Sequence, residues 1–103
     1  METQINTIAA KEIDGYIEKG AIIIDLRDQS AYNRCHISNS INIPYDNIDY
    51  QDFRKYKCEE IVIYCDRGAV SLIAAKELTR RGYDVKTVIG GILAYRGNHL
   101  QKY

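Results

Sequence analysis

A chain of 103 residues can bury one hydrophobic core and is too short for a second, so a single domain over 1–103 is expected. Its 14 Lys and Arg balance its 14 Asp and Glu, so no global field draws it to nucleic acid or to an anionic membrane, and any useful electrostatics must be local. Three cysteines in no CxxC spacing, Cys35, Cys58 and Cys65, with only two histidines beside them, argue against a disulfide framework and against a zinc site.

The N-terminal METQINTIAAKE has no cationic stretch leading into a long apolar run, and no later segment approaches the ~18 apolar residues of a membrane span. A soluble, cytoplasmic protein is the expectation. Within AAKEIDGYIEKG, Ile13, Tyr16 and Ile17 recur at i, i+3 and i+4, and Gly20 stands where a helix C-terminus wants a left-handed residue; this is the first predicted helix. Its interior Gly15 costs roughly 1 kcal/mol relative to alanine. The β-branched runs AIIIDL (21–26), SINI (40–43), EIVIYC (60–65) and DVKTVI (84–89) read as buried strands, and the one proline, Pro44, closes the second of them. Between them lie RDQSAYNRCH, the polar and aromatic YDNIDYQDFRKYK, and SLIAAKELTRRG. In the last of these Leu72, Ile73, Ala74, Ala75 and Leu78 form a predicted apolar helix face, and Gly82 stops the helix. Strands alternating with helices imply parallel α/β packing.

That order gives the stretch YCDRGAVS (64–71) a place. Cys65 ends a buried strand, 66–70 form a loop, and Ser71 to Arg81 form the next helix, so the thiol stands at the carboxyl end of a strand where open α/β sheets bind ligands. Amides from Asp66 to Val70, curled as an anion nest and backed by the positive helix end, would stabilise a thiolate or a bound oxyanion. Thiols in such surroundings ionise with pKa values of roughly 3.5 to 7.5. Gly68 supplies the backbone freedom for the curl, and Arg67 adds a cation at the mouth. The plainer alternative, a small hydrophobe at a strand end, stays open on spacing alone.

Two longer segments carry a resemblance. IIIDLRDQSAYNRCHISNSINIP resembles the signature of the rhodanese-like domain family, with an aspartate, one residue and an arginine followed by an aromatic, a His-Ile pair and an Asn-Ile-Pro ending. YCDRGAVSLIAAKELTRRGYDVKTVIGGILAYRG resembles that family's active-site loop and C-terminal half, including Gly-Gly before the last helix. The likeness runs from about Ile8 to Gly97. It implies a three-layer α/β fold, about five parallel strands flanked by helices, and a sulfurtransferase. Cys65 would accept a sulfane sulfur as a persulfide and pass it on. The amides of Asp66, Arg67, Gly68, Ala69 and Val70 would cradle it, and Ser71 would take the polar position that opens the helix. The donor would be thiosulfate, polysulfide or a protein persulfide, the acceptor a thiol or cyanide, with no metal or organic cofactor and no nucleic-acid or membrane partner.

Related phosphatases and arsenate reductases have a longer loop with an arginine six residues after the cysteine, a position held here by Ser71. Phosphoryl chemistry is therefore not expected. Val70 stands where the family often has a charged or polar residue, which removes one anion contact and favours a protein persulfide over thiosulfate. Cys35 replaces a glycine before the His-Ile pair, as a second redox thiol or a tolerated substitution. Cys58 in KYKCEE reads as incidental. Asp25 and Arg27 are either a charged wall of the pocket or a structural ion pair, the second being favoured. His36 reads as structural. The alternative from another class is a binding module that keeps the fold and lends its pocket to a partner.

Overall fold

The computed structural model describes residues 4–102; residues 1–3 and 103, the two ends of the expected 1–103 domain, lie outside the described residues. Its centre is β5 (Glu60–Tyr64), where Ile61, Val62, Ile63 and Tyr64 are all fully buried. Side chains alternate across a strand, so a run buried at every position needs cover on both faces. The sheet supplies it. On one face Ile61 and Ile63 join Ile24, Phe53, Ala74, Ala75, Leu78 and Val85; on the other Val62 and Tyr64 join Ile8, Ile13, Ile23, Ile37 and Val88.

Five parallel strands make this sheet in the order β1-β6-β5-β2-β4, with β1 at Asn6–Ala9, β2 at Ile22–Asp25, β4 at Ile41–Asn42 and β6 at Asp84–Ile89. Helix α3 (Ala69–Arg80) covers one face, α1 (Ile13–Glu18) brings Ile13 to the other, and a short α2 (Gln29–Arg34) follows β2. A two-stranded antiparallel ribbon, β3 (Cys35–Ile37) with β7 (Leu100–Lys102), packs Ile37 and Leu100 on the α1 side. This is the expected three-layer fold.

Several boundaries differ from the sequence reading. Strand β1 is new: only Ile8 of its four residues is buried, so a half-polar edge strand paired Asn6↔Lys86 to Ala9↔Ile89 left no alternating signal. The first helix is shorter than 9–20, a 3-10 turn over Ala10–Glu12 leading into α1, and Gly20 takes the expected left-handed φ of +83°. The SINI strand contracts to two residues. Helix α3 begins at Ala69 rather than Ser71. Its core face is Ser71, Ala74, Ala75 and Leu78, while Leu72 and Ile73 are exposed at 43% and 56%. A stripe at i, i+3, i+4 and i+7 fits one side of a helix, and two consecutive residues at 72 and 73 cannot both join it. The aromatic segment forms 3-10 turns over Tyr45–Asn47 and Tyr50–Tyr56, buries Phe53 completely, and is followed by an exposed Cys58. No helix among the described residues is long and apolar enough to cross a membrane.

Candidate active site

Cys65 comes directly after β5 and is 6% exposed. Its sulfur faces the loop that turns into α3, where the amides of Gly68 and Ser71 donate to Sγ at 3.2 and 3.3 Å. The expectation placed the cradle on the amides of 66–70. The two hydrogen bonds to the sulfur instead come from Gly68 and from one residue beyond that range, because α3 starts early and its first turn wraps the thiol. Gly68 caps α3 with a φ of +106°, and a Cβ there would press on Gly90 N and Val88 O at 3.2 and 3.3 Å. Glycine is required on both counts.

The loop is held from behind by residues 90–93. Ile92 N donates to the Cys65 carbonyl at 2.9 Å and Leu93 N to the Asp66 carbonyl at 3.2 Å, so carbonyls are drawn away from the sulfur while amides face it. Gly91, with φ +61°, lies so close that a Cβ would overlap the Cys65 and Asp66 carbonyl groups. The Gly-Gly motif thus acts as a backbone-to-backbone seat, and it leads into a 3-10 turn (Ile92–Ala94) rather than a helix. Spacing alone does not show that function; a paired glycine after a strand is its only signal.

Ser71 is fully buried and its hydroxyl does not meet the sulfur. It donates to Gly68 O at 3.2 Å and accepts from Thr87 Oγ1 at 2.7 Å, tying the first turn of α3 to β6. Ser71 therefore serves by its backbone amide at the thiol and by its side chain in the scaffold. Asp66 and Arg67 are exposed at the mouth, and Ala69 and Val70 line the cleft in front of Cys65. That cleft has a volume of about 360 Å³ and is closed on its far side by Leu26, Arg27, Pro44 and Tyr45.

Asp25 and Arg27 form a buried ion pair that reaches the cleft. Asp25 is completely buried; its Oδ1 accepts from Arg27 N at 2.8 Å, and its carboxylate takes Arg27 Nε at 3.1 Å and Nη2 at 2.7 Å. Burial opposes charge on the guanidinium, but the hydrogen bond to Asp25 and that carboxylate's charge outweigh it, so Arg27 is held firmly protonated. Nη2 also donates to Cys35 O at 2.5 Å, and Nη1 lies 3.9 Å from Asp66 Oδ1. One guanidinium thus links β2, β3 and the Cys65 loop. Tyr64, immediately before the thiol, accepts from Ile37 N at 3.0 Å and contacts Ser40 Oγ at 3.2 Å; burial and the nearby Asp25 charge keep its hydroxyl protonated. His36 stacks on Tyr32 with centroids 3.8 Å apart, and its Nδ1 meets Tyr32 O at 2.8 Å. Cys35 is half-buried against the core. Among the described residues no cluster of His, Cys, Asp and Glu is arranged to hold a metal ion.

The sequence and the fold both have counterparts among known proteins. The model of the rhodanese-like domain matches residues 9–98. The chain belongs to the rhodanese-like domain family. Thiosulfate sulfurtransferase GlpE of Pseudomonas syringae is 31% identical over 103 residues, covering 97% of this chain and 95% of its own. A tRNA sulfurtransferase of Thermoplasma acidophilum is 44% identical over 71 residues, 68% of this chain but only 14% of that protein. Among solved structures, Bacillus anthracis CoADR-RHD superposes with a TM-score of 0.81 at 34% identity, over 88% of this chain and 16% of the larger one. A rhodanese-related protein of Thermoplasma volcanium does so with a TM-score of 0.78 at 25% identity, covering 87% and 89%. This rhodanese-like domain therefore spans nearly the full length of some relatives and a small part of others.

Proposed function

We propose that this rhodanese-like domain is a sulfurtransferase carrying sulfane sulfur as a persulfide on Cys65. The observation that carries the reading is the sulfur itself, shielded from solvent and facing two backbone N–H groups at the base of a cleft. Dipoles so aimed stabilise negative charge on the thiolate that attacks and on the persulfide that results, at no cost in reorganisation. Loading is a displacement at the donor's sulfane sulfur: the Cys65 thiolate forms the new S–S bond, and the donor's old bond breaks with its electron pair leaving on sulfite or on a donor thiolate. Unloading runs the other way, an acceptor thiolate taking the outer sulfur and returning the electron pair to Sγ.

The charges around the cleft bear on the donor. Asp28, Asp46 and Asp66 line it against Arg27 and Arg67, and Arg27 is already committed to Asp25. A small dianion such as thiosulfate gains little there. A protein persulfide, carrying less charge at its reacting end, fits better. Phosphatase chemistry lacks its cation, because the residue at position 71 is a buried serine bonded to Thr87.

The test is intact mass after incubation with polysulfide, expecting one added sulfur that reductant removes. Cys65→Ser should abolish both the adduct and transfer to cyanide while keeping the fold, and Cys35→Ser and Cys58→Ser should retain most activity. Transfer surviving in Cys65→Ser would overturn the assignment; an unmodified but correctly folded chain would point to a binding module.

A further inference from the structure

Beside the Cys65 cleft runs a second groove of about 270 Å³, walled by Thr7, Leu72, Val88 and Ile89. Arg67 and Ala69 line both, so the two are neighbours across a single ridge of the active-site loop. The groove is apolar where it is open: Leu72 is 43% exposed and Ile89 61%. Leu93, whose amide holds the loop from behind, is 53% exposed. Three of the five exposed large hydrophobics among the described residues thus border the Cys65 loop. Leu72 and Ile89 wall one groove, and contiguous apolar surface of that kind marks an interaction site, which singly scattered apolar side chains do not.

Resting on the sulfur-transfer reading, we propose that the groove docks an extended segment of a protein that presents the exchanging cysteine. The segment would place an apolar side chain between Leu72 and Ile89 and a carboxylate near Arg67. Charge selects this occupant. Among the described residues Arg67 makes no ion pair, and it is the one cation shared by both clefts, whereas the Cys65 cleft itself is crowded with Asp28, Asp46 and Asp66. A small inorganic donor needs only the first cleft and has nothing to place in the second. A peptide with a leucine and a glutamate flanking its cysteine uses both. The chemistry is the transfer already described: the peptide thiolate bonds to the outer sulfur, the Sγ–S bond breaks, and Cys65 regains its thiolate.

The experiment loads Cys65 with polysulfide and measures the rate of sulfur loss to short synthetic peptides. Each carries one cysteine, a glutamate, and a leucine one to four residues from the cysteine. Matched peptides with serine for leucine, and free cyanide, are the references. At the best spacing the leucine peptide should react about tenfold faster than its serine counterpart, the effect of removing part of one leucine side chain from water. Leu72→Ser combined with Ile89→Ser should erase that preference while leaving persulfide loading and transfer to cyanide as they were. Both positions are exposed, so the fold is retained; circular dichroism checks this. Arg67→Ala should weaken the contribution of the glutamate, more at low salt than at high. Equal rates for leucine and serine peptides at every spacing, or a preference that survives the double substitution, would overturn the proposal. So would concentration-dependent self-association that the same substitutions abolish, since it would assign the groove to a second copy of this chain. Failure to form any persulfide would instead strike the sulfur-transfer reading, and intact mass separates the two.

Discussion

At the scale of single residues, the site depends on positions that never touch a substrate. Gly91 is the sharpest case, because a methyl group there meets carbonyl groups of the backbone, which has no rotamer to yield. Gly91→Ala should cost about 1–3 kcal/mol, in the range of overpacked cores, and should disturb the Cys65 loop more than the remote sheet. Urea denaturation gives the first effect and sulfur-transfer rate the second. Asp25 is a parallel case in the opposite chemistry. Asp25→Ala leaves the Arg27 guanidinium, only 8% exposed, without its carboxylate, and stability should fall by about 3–5 kcal/mol. Calorimetry that found Asp25→Ala as stable as the parent would show that Arg27 finds water or Asp66 instead.

At the scale of elements, glycines of one helix carry opposite meanings. Gly15 lies inside α1, with nothing near an added Cβ, so Gly15→Ala should stabilise by roughly 0.5–1 kcal/mol through helix propensity and a less flexible unfolded chain. Gly20 ends that helix at φ +83°, and Gly20→Ala should destabilise by about 1–2 kcal/mol because an L side chain is strained there. Thermal melts of the two variants should move in opposite directions. The same contrast explains what could be read locally. Gly20 and Gly82 stop their helices where helix-ending patterns place them, with φ of +83° and +89°, whereas the role of Gly91 depends on a loop some 25 residues earlier in the chain.

At the scale of the whole molecule, buried tyrosines tie distant segments together and make stability sensitive to alkali. Burial first, and then the hydrogen bond to Asp14 at 2.5 Å, push the Tyr95 hydroxyl from its ordinary value of 10 up to about 12; Tyr64 is shifted in the same direction. A raised folded pKa means that the folded form keeps its proton after the unfolded form has lost it. The contribution is therefore complete below pH 10 and is lost progressively as pH rises from 10 to about 12. Stability measured by denaturant should decline through that window, and Tyr95→Phe, lower at neutral pH, should decline less steeply. A parent and variant with identical slopes would show that Tyr95 ionises no later in the folded chain than in the unfolded one.

Features written in neighbouring residues are legible in the chain before it folds. The run EIVIY specifies a strand buried on both faces, the alternation of β-branched runs with helical periods specifies a parallel sheet, and Cys65 followed by a glycine places a thiol at a strand-to-helix turn. Each is a consequence of side-chain periodicity or of allowed backbone angles, which act over a few bonds. Tertiary structure decided the rest. The edge strand Asn6–Ala9 exists because β6 offers it hydrogen bonds, and β3 pairs with β7 across more than sixty residues, neither carrying enough apolar pattern to declare itself. Which amides reach the sulfur depended on where α3 begins, and that start is fixed by Gly68 pressed against Gly90 and by Ser71 bonded to Thr87. Leu72 and Ile73, apolar in sequence, face water because the sheet beneath α3 receives the small side chains of Ala74 and Ala75, and no local pattern tells a helix which of its sides the sheet will take.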